Sequence, residues 1–330
     1  MDELRAAQGS RPPVLPAPRR IACGGDAVSS AGVQLSVPAH FFEQLAGDGG
    51  DGVFRATELT RGPWDGASQH AGPPSALIAR AIELCPGIGE GPEDRSIGRL
   101  TFEILRPVPI ADLHLEARVA RPGRRVEMLE ATLSEAGDAA AGGAPGRELV
   151  RARGWRIAAA GSEIPPGLTS TEPGGAPARA GRPSGAVGAP TPPLELEPED
   201  VFFPTGHDVG YHRGMEYRFE SGGFMETGPA VCWMRMRAPL VAGEEPSPLQ
   251  RVLVAADSGN GISSTLDFHR FIFINVDLTV HLHRMPSGEW VCLDSLTIPE
   301  PNGQGMSDTL LADERGPIGR ACQTLLVTER

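Results

Sequence analysis

The sequence contains no lysine, since all 30 of its basic residues are arginine. This absence excludes Schiff-base catalysis and a Walker-type phosphate-binding loop, because both depend on a lysine side chain. The sequence also lacks a G-x-S-x-G segment, which argues against a hydrolase with a serine nucleophile. Glycine and proline are plentiful instead, and this composition is typical of a GC-rich genome.

Cysteine is scarce and irregularly placed. No C-x-x-C pair occurs, so neither a disulfide framework nor a zinc knuckle is indicated. We expect free thiols at Cys23, Cys85, Cys232, Cys292 and Cys322. Positive charge is also in short supply, because the net charge is −12 and no basic stripe is present. We therefore expect no nucleic-acid partner.

Long apolar runs are absent as well. No segment approaches the roughly 20 consecutive apolar residues of a membrane-spanning helix. The beginning of the sequence, "MDELRAAQGSRPPVLPAPRR", lacks the apolar region of a signal peptide. We therefore expect a soluble, cytoplasmic protein without membrane association. The length of 330 residues suggests about two domains.

Two stretches are too rich in proline, glycine, alanine and serine to form a packed core. They cover residues 1–35 and 159–200, and neither buries enough apolar surface to offset the ordering of the chain. We predict a disordered N-terminal tail over 1–35, a first domain over 36–158, a linker over 159–200 and a second domain over 201–330. Proteolysis is expected to cut first within about residues 165–195.

The two predicted domains repeat one order of elements. In the first, "GVFRATELTRGPW" is predicted as a strand and "GPPSALIARAIEL" as a helix with Pro73 and Pro74 in its first turn. In the second, "SPLQRVLVAADS" is predicted as a helix with Ser247 as its N-cap, and "FIFINVDLTVHLHR" as a strand. A repeat of about 125 residues, each a sheet wrapped around one helix, predicts an α+β fold whose sheets pair edge to edge.

Several segments then point to one family. They are "GPWDGASQHAGPPSALIARA", "FEILRPVPI", "ARPGRRVEMLEATL", "AADSGNGI", "FINVDLTVHLHR", "GEWVCLDSLT" and "GRACQTLLV". Together, over residues 41–158 and 205–330, they resemble the acyl-CoA thioesterase II family of double-hotdog proteins. The resemblance implies two tandem hotdog units that form one continuous sheet, an acyl-CoA substrate from fatty acid metabolism, and no cofactor.

The resemblance also implies the catalytic residues. Enzymes of that family hydrolyse the thioester without a covalent intermediate, and an Asp, a Thr and a Gln of the second hotdog hold and activate water. The matching positions are Asp257, Asn275 and Gln323, so that Asn stands where the family has Thr. An Asn amide also offers a donor and an acceptor. An amide turned toward Asp257 would keep the carboxylate ionised but would occupy an oxygen that the water needs.

The residues themselves support this trio. An apolar run in "VLVAADSGNGI" ends on Asp257, and an ionised carboxylate is costly to bury without partners. Asn275 and Gln323 lie on otherwise apolar predicted strands, where buried polar groups need hydrogen bonds, and a water shared with Asp257 would supply them. The alternative is that Asp257 caps its own helix while both amides face solvent.

The start of the first predicted helix supplies further candidates. Pro73 and Pro74 have no N–H, so the backbone N–H of Gly72 is the candidate donor for a developing oxyanion, unless this glycine serves only packing. Gln69 and His70 precede it and could contact the thioester or the pantetheine, although a lone His more often has a structural role.

Two further motifs suggest no bound group. His281 and His283 share one face of a strand, but no third ligand is suitably spaced, so we expect no metal site. The segment "GDGGDG" leads into a strand rather than opening a helix, and we interpret it as a turn.

Two other functions stay open at this point. A hotdog enoyl-CoA hydratase needs an Asp and a His a few residues apart on one loop. Here the first His after Asp257 is His269, twelve positions on, which disfavours a hydratase. A non-catalytic protein that binds acyl-CoA or an acyl carrier remains an alternative because of Asn275. In either case we expect a homo-oligomer, since hotdog sheets expose edges that proteins tend to cover.

Overall fold

The two long helices each begin with proline in the first turn. In the computed structural model, α1 spans Gly72–Leu84 and α3 spans Pro248–Ala256, while α2 (Tyr211–Gly214) and α4 (Gly259–Ile262) are single turns. Both long helices carry proline in the first turn, where an N–H would have no intrahelical partner. Ser247 is the N-cap of α3, as predicted, and its side chain accepts a hydrogen bond from the backbone N–H of Gln250.

The structure describes residues 37–87, 94–138, 142–165, 181–202 and 204–330. The predicted tail and residues 166–180 of the predicted linker lie outside these ranges. Val37–Arg330 forms one compact unit by its internal contacts.

Thirteen strands occur within the described ranges. They are β1 Phe42–Ala46, β2 Gly52–Ala56, β3 Arg95–Ile104, β4 Asp112–Arg121, β5 Val126–Glu135, β6 Glu148–Ala158, β7 Met215–Ser221, β8 Ala230–Met236, β9 Phe271–Asn275, β10 Asp277–Leu282, β11 Val291–Pro299, β12 Gln304–Asp313 and β13 Gly316–Glu329.

All these strands belong to one sheet. Its order is β1-β2-β4-β5-β6-β3-β10-β13-β12-β11-β8-β7, and β9 pairs with β13. The two halves join where β3 pairs antiparallel with β10, from Glu103 opposite Asp277 to Arg99 opposite His281. The prediction of an α+β fold with a continuous sheet is confirmed.

Some element boundaries differ from the predictions. The segment 271–284, predicted as one strand, is divided at Val276 into β9 and β10, which ends at Leu282, and the N–H of Val276 donates to Thr324 O. Only residues 52–56 of "GVFRATELTRGPW" are extended, because a 3₁₀ turn follows at Glu58–Thr60. The sequence prediction also omitted β1 and β7. The "GDGGDG" segment forms the turn between β1 and β2, as predicted.

The two long helices contact each other inside the sheet. Glu83, near the end of α1, accepts hydrogen bonds from Ser247 Oγ at 2.7 Å and Gln250 Nε2 at 3.2 Å, at the start of α3. Burial raises the pKa of the Glu83 carboxyl, which these hydrogen bonds oppose. The carboxylate therefore fixes the position of one helix on the other.

Part of the predicted linker is packed on the second half. Arg182 forms an ion pair with Asp294 of β11, and the backbone N–H of Ser184 donates to the same carboxylate at 2.8 Å. Trp233 of β8 donates from Nε1 to Thr191 O at 2.8 Å. This segment is therefore held by polar contacts from the sheet. Among the described residues, no helix has the length and apolar character needed to cross a membrane.

Candidate active site

Helix α3 ends on a buried carboxylate. Asp257 is the C-cap residue of α3, and it is only 4% exposed. The C-terminal end of a helix carries partial negative charge, which opposes a carboxylate there by about 0.3–1 kcal/mol. A buried carboxylate at this end therefore needs hydrogen-bond donors from other elements.

Two amide side chains supply these donors, and an imidazole contacts the second carboxylate oxygen. Asn275 Nδ2 lies 2.8 Å and Gln323 Nε2 3.1 Å from Asp257 Oδ1. His70 Nδ1 lies 3.0 Å from Asp257 Oδ2. The three predicted residues of the second half thus meet, and both amides contact the carboxylate instead of facing solvent.

Each amide is fixed by a second contact. Gln323 Nε2 also donates to the backbone O of Asp257 at 3.1 Å, and its Oε1 accepts from the N–H of Asn260 at 3.2 Å. Asn275 Nδ2 also donates to Asp277 O at 3.2 Å, a contact that the break between β9 and β10 makes possible. These contacts use both N–H groups of each amide, so the Oδ1 atom of Asn275 remains as an acceptor.

The ring of His70 is held by an aromatic neighbour. It stacks on Tyr211 with ring centroids 3.8 Å apart and an interplanar angle of 7°. Tyr211 OH in turn donates to Val254 O at 2.6 Å and lies 3.0 Å from Ser258 Oγ. Burial lowers the pKa of His70, and the charge of Asp257 opposes this shift. The imidazole is therefore neutral near neutral pH.

Gly72, at the start of α1, lies close to the backbone of α3. A Cβ on this residue would come within 2.4 Å of Val254 O, so only glycine fits without a backbone shift. Its N–H points at His70 Nδ1 from 3.1 Å. The predicted oxyanion role of Gly72 stays a prediction, and its close packing is a second reason for glycine here.

Gln69 holds its amide against the wall of the site. Its Nε2 donates to Pro109 O at 2.7 Å. Its Oε1 is buried and has no hydrogen-bond partner among the described residues. An acceptor of this kind suits a ligand N–H.

A cavity of about 370 Å³ opens beside Asp257, within the range typical of small-molecule sites. His70, Gln69 and Asn275 line it together with the carboxylate. Its walls are mostly apolar and come from both halves, including Trp64, Val108, Phe202, Tyr211, Phe224 and Ile274. Sequence reasoning missed the aromatic members, because nothing in their local pattern separates a cavity wall from a core.

The other predicted groups lie elsewhere. His281 is exposed, and His283 Nε2 lies 3.0 Å from Pro317 O. Across the described ranges, no group of three or more His, Cys, Asp or Glu side chains is arranged to hold a metal ion. Cys85, Cys232, Cys292 and Cys322 are free thiols, and Cys23 lies outside the described residues.

Comparison with known domains settles the family. The sequence matches the acyl-CoA thioesterase N-terminal domain over residues 60–157 and the C-terminal domain over residues 189–327. The chain belongs to the acyl-CoA thioesterase family. The first match lies within the predicted first domain, and the second begins in the predicted linker and extends over most of the predicted second domain. The chain is accordingly a thioester hydrolase.

Solved structures share the fold of this thioesterase. An acyl-CoA thioesterase II, TesB2, from Mycobacterium marinum has 12% identity and a TM-score of 0.53, covering 88% of this chain and 96% of its own. The tesB protein of Mycobacterium avium subsp. paratuberculosis has 12% identity and a TM-score of 0.54, covering 87% and 96%.

A third structure, from Alicyclobacillus acidocaldarius, is a conserved protein of unknown function with a hot dog fold. It has 13% identity and a TM-score of 0.61, covering 86% of this chain and 95% of its own. At such identities these likenesses show the fold alone, and they confirm the hotdog architecture. No curated protein matches the sequence.

Proposed function

We propose that this thioesterase hydrolyses acyl-CoA by a water molecule that Asp257 activates, without a covalent intermediate. The observation that carries this function is the hydrogen bonding of the buried carboxylate at the cavity. A carboxylate offers about four lone-pair positions, and Asn275, Gln323 and His70 occupy three of them. One position on Oδ2 remains for water.

The water would donate one hydrogen bond to Asp257 Oδ2 and the other to Asn275 Oδ1. As its oxygen attacks the thioester carbonyl, Asp257 accepts a proton, and the C–O bond forms. The C–S bond then breaks, the thiolate of CoA leaves, and the proton passes from Asp257 to sulfur. The carboxylate is regenerated, so that the products are the free acid and CoA.

The two amides have different tasks in this scheme. Asn275 touches the water through Oδ1. Gln323 acts on Asp257, because both of its N–H groups already contact that residue. An Asn in place of the family's Thr is compatible with this scheme, since either side chain donates to Asp257 and accepts from water.

The first half completes the site. We assign the oxyanion to the N–H of Gly72, beside Ala71, which lines the cavity. Gln69 Oε1, which is buried without a partner, would accept a hydrogen bond from a pantetheine amide. His70 lies in the same wall, with its Nδ1 against Asp257 Oδ2.

Release of CoA from acyl-CoAs of several chain lengths, followed with a thiol-reactive dye, tests this function. The wild type should release CoA, and Asp257→Asn should not. Asp112→Asn is the matched control, because Asp112 pairs with Arg55 on the surface of the first half. Hydration of crotonyl-CoA, measured in parallel, tests the hydratase alternative. Absence of CoA release by the wild type from every acyl-CoA would contradict the proposal.

We also propose a homo-oligomer, because the sheet ends in the edge strand β7. Light scattering at micromolar concentration tests this. A monomer would count against it.

A further inference from the structure

His70 and Asp257 share a single proton. Nδ1 of the imidazole and Oδ2 of the carboxylate lie 3.0 Å apart, and both are acceptors unless one of them carries hydrogen. Two lone pairs at this distance repel each other, so a proton lies between them. The imidazole is 12% exposed and the carboxylate 4%, so water does not compete strongly for this bond.

The proton belongs on Nδ1. The N–H of Gly72 also points at Nδ1, from 3.1 Å, but one nitrogen cannot accept from Gly72 and donate to Asp257 in the same tautomer. A hydrogen bond to an ionised carboxylate is roughly twice as strong as one between neutral groups. The bond to Asp257 therefore decides the tautomer, and the Gly72 N–H then has no acceptor at Nδ1.

The imidazole is prevented from turning away. Its stacking on Tyr211 fixes the plane of the ring, and Tyr211 is itself tied to Val254 O at the end of α3. The absence of a side chain at Gly72 lets the start of α1 approach the same carbonyl. The stacking on Tyr211 and the close approach at Gly72 thus bring two residues of the first half, His70 and Gly72, to the end of the helix that carries Asp257.

We propose that His70 is the positioning residue of the base. Its Nδ1–H occupies one lone pair of Asp257 Oδ2 and thereby directs the other lone pair into the cavity. The base is then assembled from both halves of the chain, although the carboxylate comes from the second alone. This role presupposes Asp257 as the base that activates water.

Three variants of the full-length protein separate this role from others. His70→Phe keeps a ring for stacking on Tyr211 and removes the donor. His70→Asn places an amide N–H near the position of Nδ1 but supplies nothing at Nε2. His283→Phe is the matched control, because His283 is exposed, lies outside the cavity and has its Nε2 3.0 Å from the backbone O of Pro317.

The kinetic constants kcat and KM for acyl-CoA hydrolysis are the readout. We expect His70→Phe to lower kcat about 10- to 100-fold with KM changed by less than about threefold. His70→Asn should restore kcat to within about fivefold of the wild type. If His70→Asn is as slow as His70→Phe, the positioning role is wrong and the imidazole acts through Nε2.

A double-mutant cycle distinguishes this inference from the proposed function. Because His70 acts through Asp257, adding His70→Phe to Asp257→Asn should lower kcat no further. Full activity of Asp257→Asn would remove the proposed base itself. A slow Asp257→Asn beside a fully active His70→Phe would overturn only the role of His70.

Discussion

The two halves of this thioesterase end their long helices in the same way. In the first half, Arg156 of β6 donates to the backbone O of Cys85, the residue that caps α1, at 2.7 Å. In the second half, Gln323 of β13 donates to the backbone O of Asp257, the residue that caps α3, at 3.1 Å. A side chain of the last strand thus satisfies a carbonyl at each helix end.

The halves differ in what surrounds that carbonyl. In the first half, Glu127 is fully buried and pairs with both Arg95 and Arg156. Although burial acts to raise it, the pKa of Glu127 is held below its ordinary value by these two guanidinium groups. The result is a compact ion-pair cluster. In the second half, the carboxylate of Asp257 has two neutral amides and an imidazole as partners, and it faces a cavity.

This difference shows how the same place in the two halves holds one carboxylate in an ion-pair cluster and leaves the other facing a cavity, where we propose that it acts as a base. Two cations neutralise Glu127 and bind it in place, so that its removal leaves uncompensated buried charge. Neutral donors orient Asp257 without cancelling its charge, and they leave a lone pair for water. The first half is therefore expected to control stability and the second half turnover.

The largest effect should come from Asp257→Asn. The amide keeps the size of the side chain but removes the basic lone pair, so kcat should fall about 10²- to 10⁴-fold while acyl-CoA still binds. Folding should be unchanged or slightly improved, because His70 can change tautomer and accept from the new amide. Steady-state kinetics and thermal unfolding measure both. Collapse of the fold would instead favour a helix-capping role for Asp257.

The reverse result is expected for Glu127→Gln. Breaking a buried ion pair should lower the free energy of unfolding by about 3–5 kcal/mol, because two arginines lose their counter-charge. The kcat of the folded protein should stay the same. Denaturant unfolding measures this, with Glu130→Gln on the same strand as control, whose exposed partners Arg118 and Arg153 make its loss cost below about 1 kcal/mol.

Gln323→Ala should moderately lower both the stability of the fold and the turnover. The carbonyl of Asp257 and the N–H of Asn260 lose their partner, which should cost about 1–3 kcal/mol of stability. Turnover should fall less than in Asp257→Asn, because the base remains. Cys322→Ala, at an exposed position on the same strand, is the control. A loss of turnover as large as that of Asp257→Asn would show that Gln323 contacts the water itself.

Asn275→Thr, which restores the family's residue, should change kcat by less than about tenfold. A hydroxyl can donate to Asp257 and accept from water, as the amide does. Asn275→Ala removes both functions and should be slower than Asn275→Thr. Equal kcat values for the two variants would show that this position does not hold the water.

The smallest effect concerns the pH dependence of stability. Because burial lowers the pKa of His70, the unfolded chain binds more protons than the folded protein just below pH 6.5, the ordinary value for histidine. The stability that the neutral imidazole contributes is present above that pH and is lost as the pH falls. His70→Phe should therefore flatten the decline in unfolding free energy as the pH falls below about 6.5. An unchanged slope would contradict the lowered pKa.

Much of the site could be predicted from local pattern and resemblance. The proline-led helices and the Ser247 cap follow from short-range chemistry, because an unpaired N–H and a capping oxygen act within one turn. Asp257 and Gln323 could be singled out because polar groups on apolar elements need partners. The sequence alone did not decide whether the amide of Asn275 turns toward Asp257, since this contact depends on the break in the strand at Val276.

The sequence by itself determined the two repeats, their long helices and the carboxylate that ends the second. Only the tertiary structure decided that His70, far from Asp257 along the chain, contacts that carboxylate. It also decided that aromatic side chains of separate elements line one cavity. The reason is physical: helices and caps form through contacts within a few residues, whereas the site forms where the two halves pair, and no local pattern encodes that pairing.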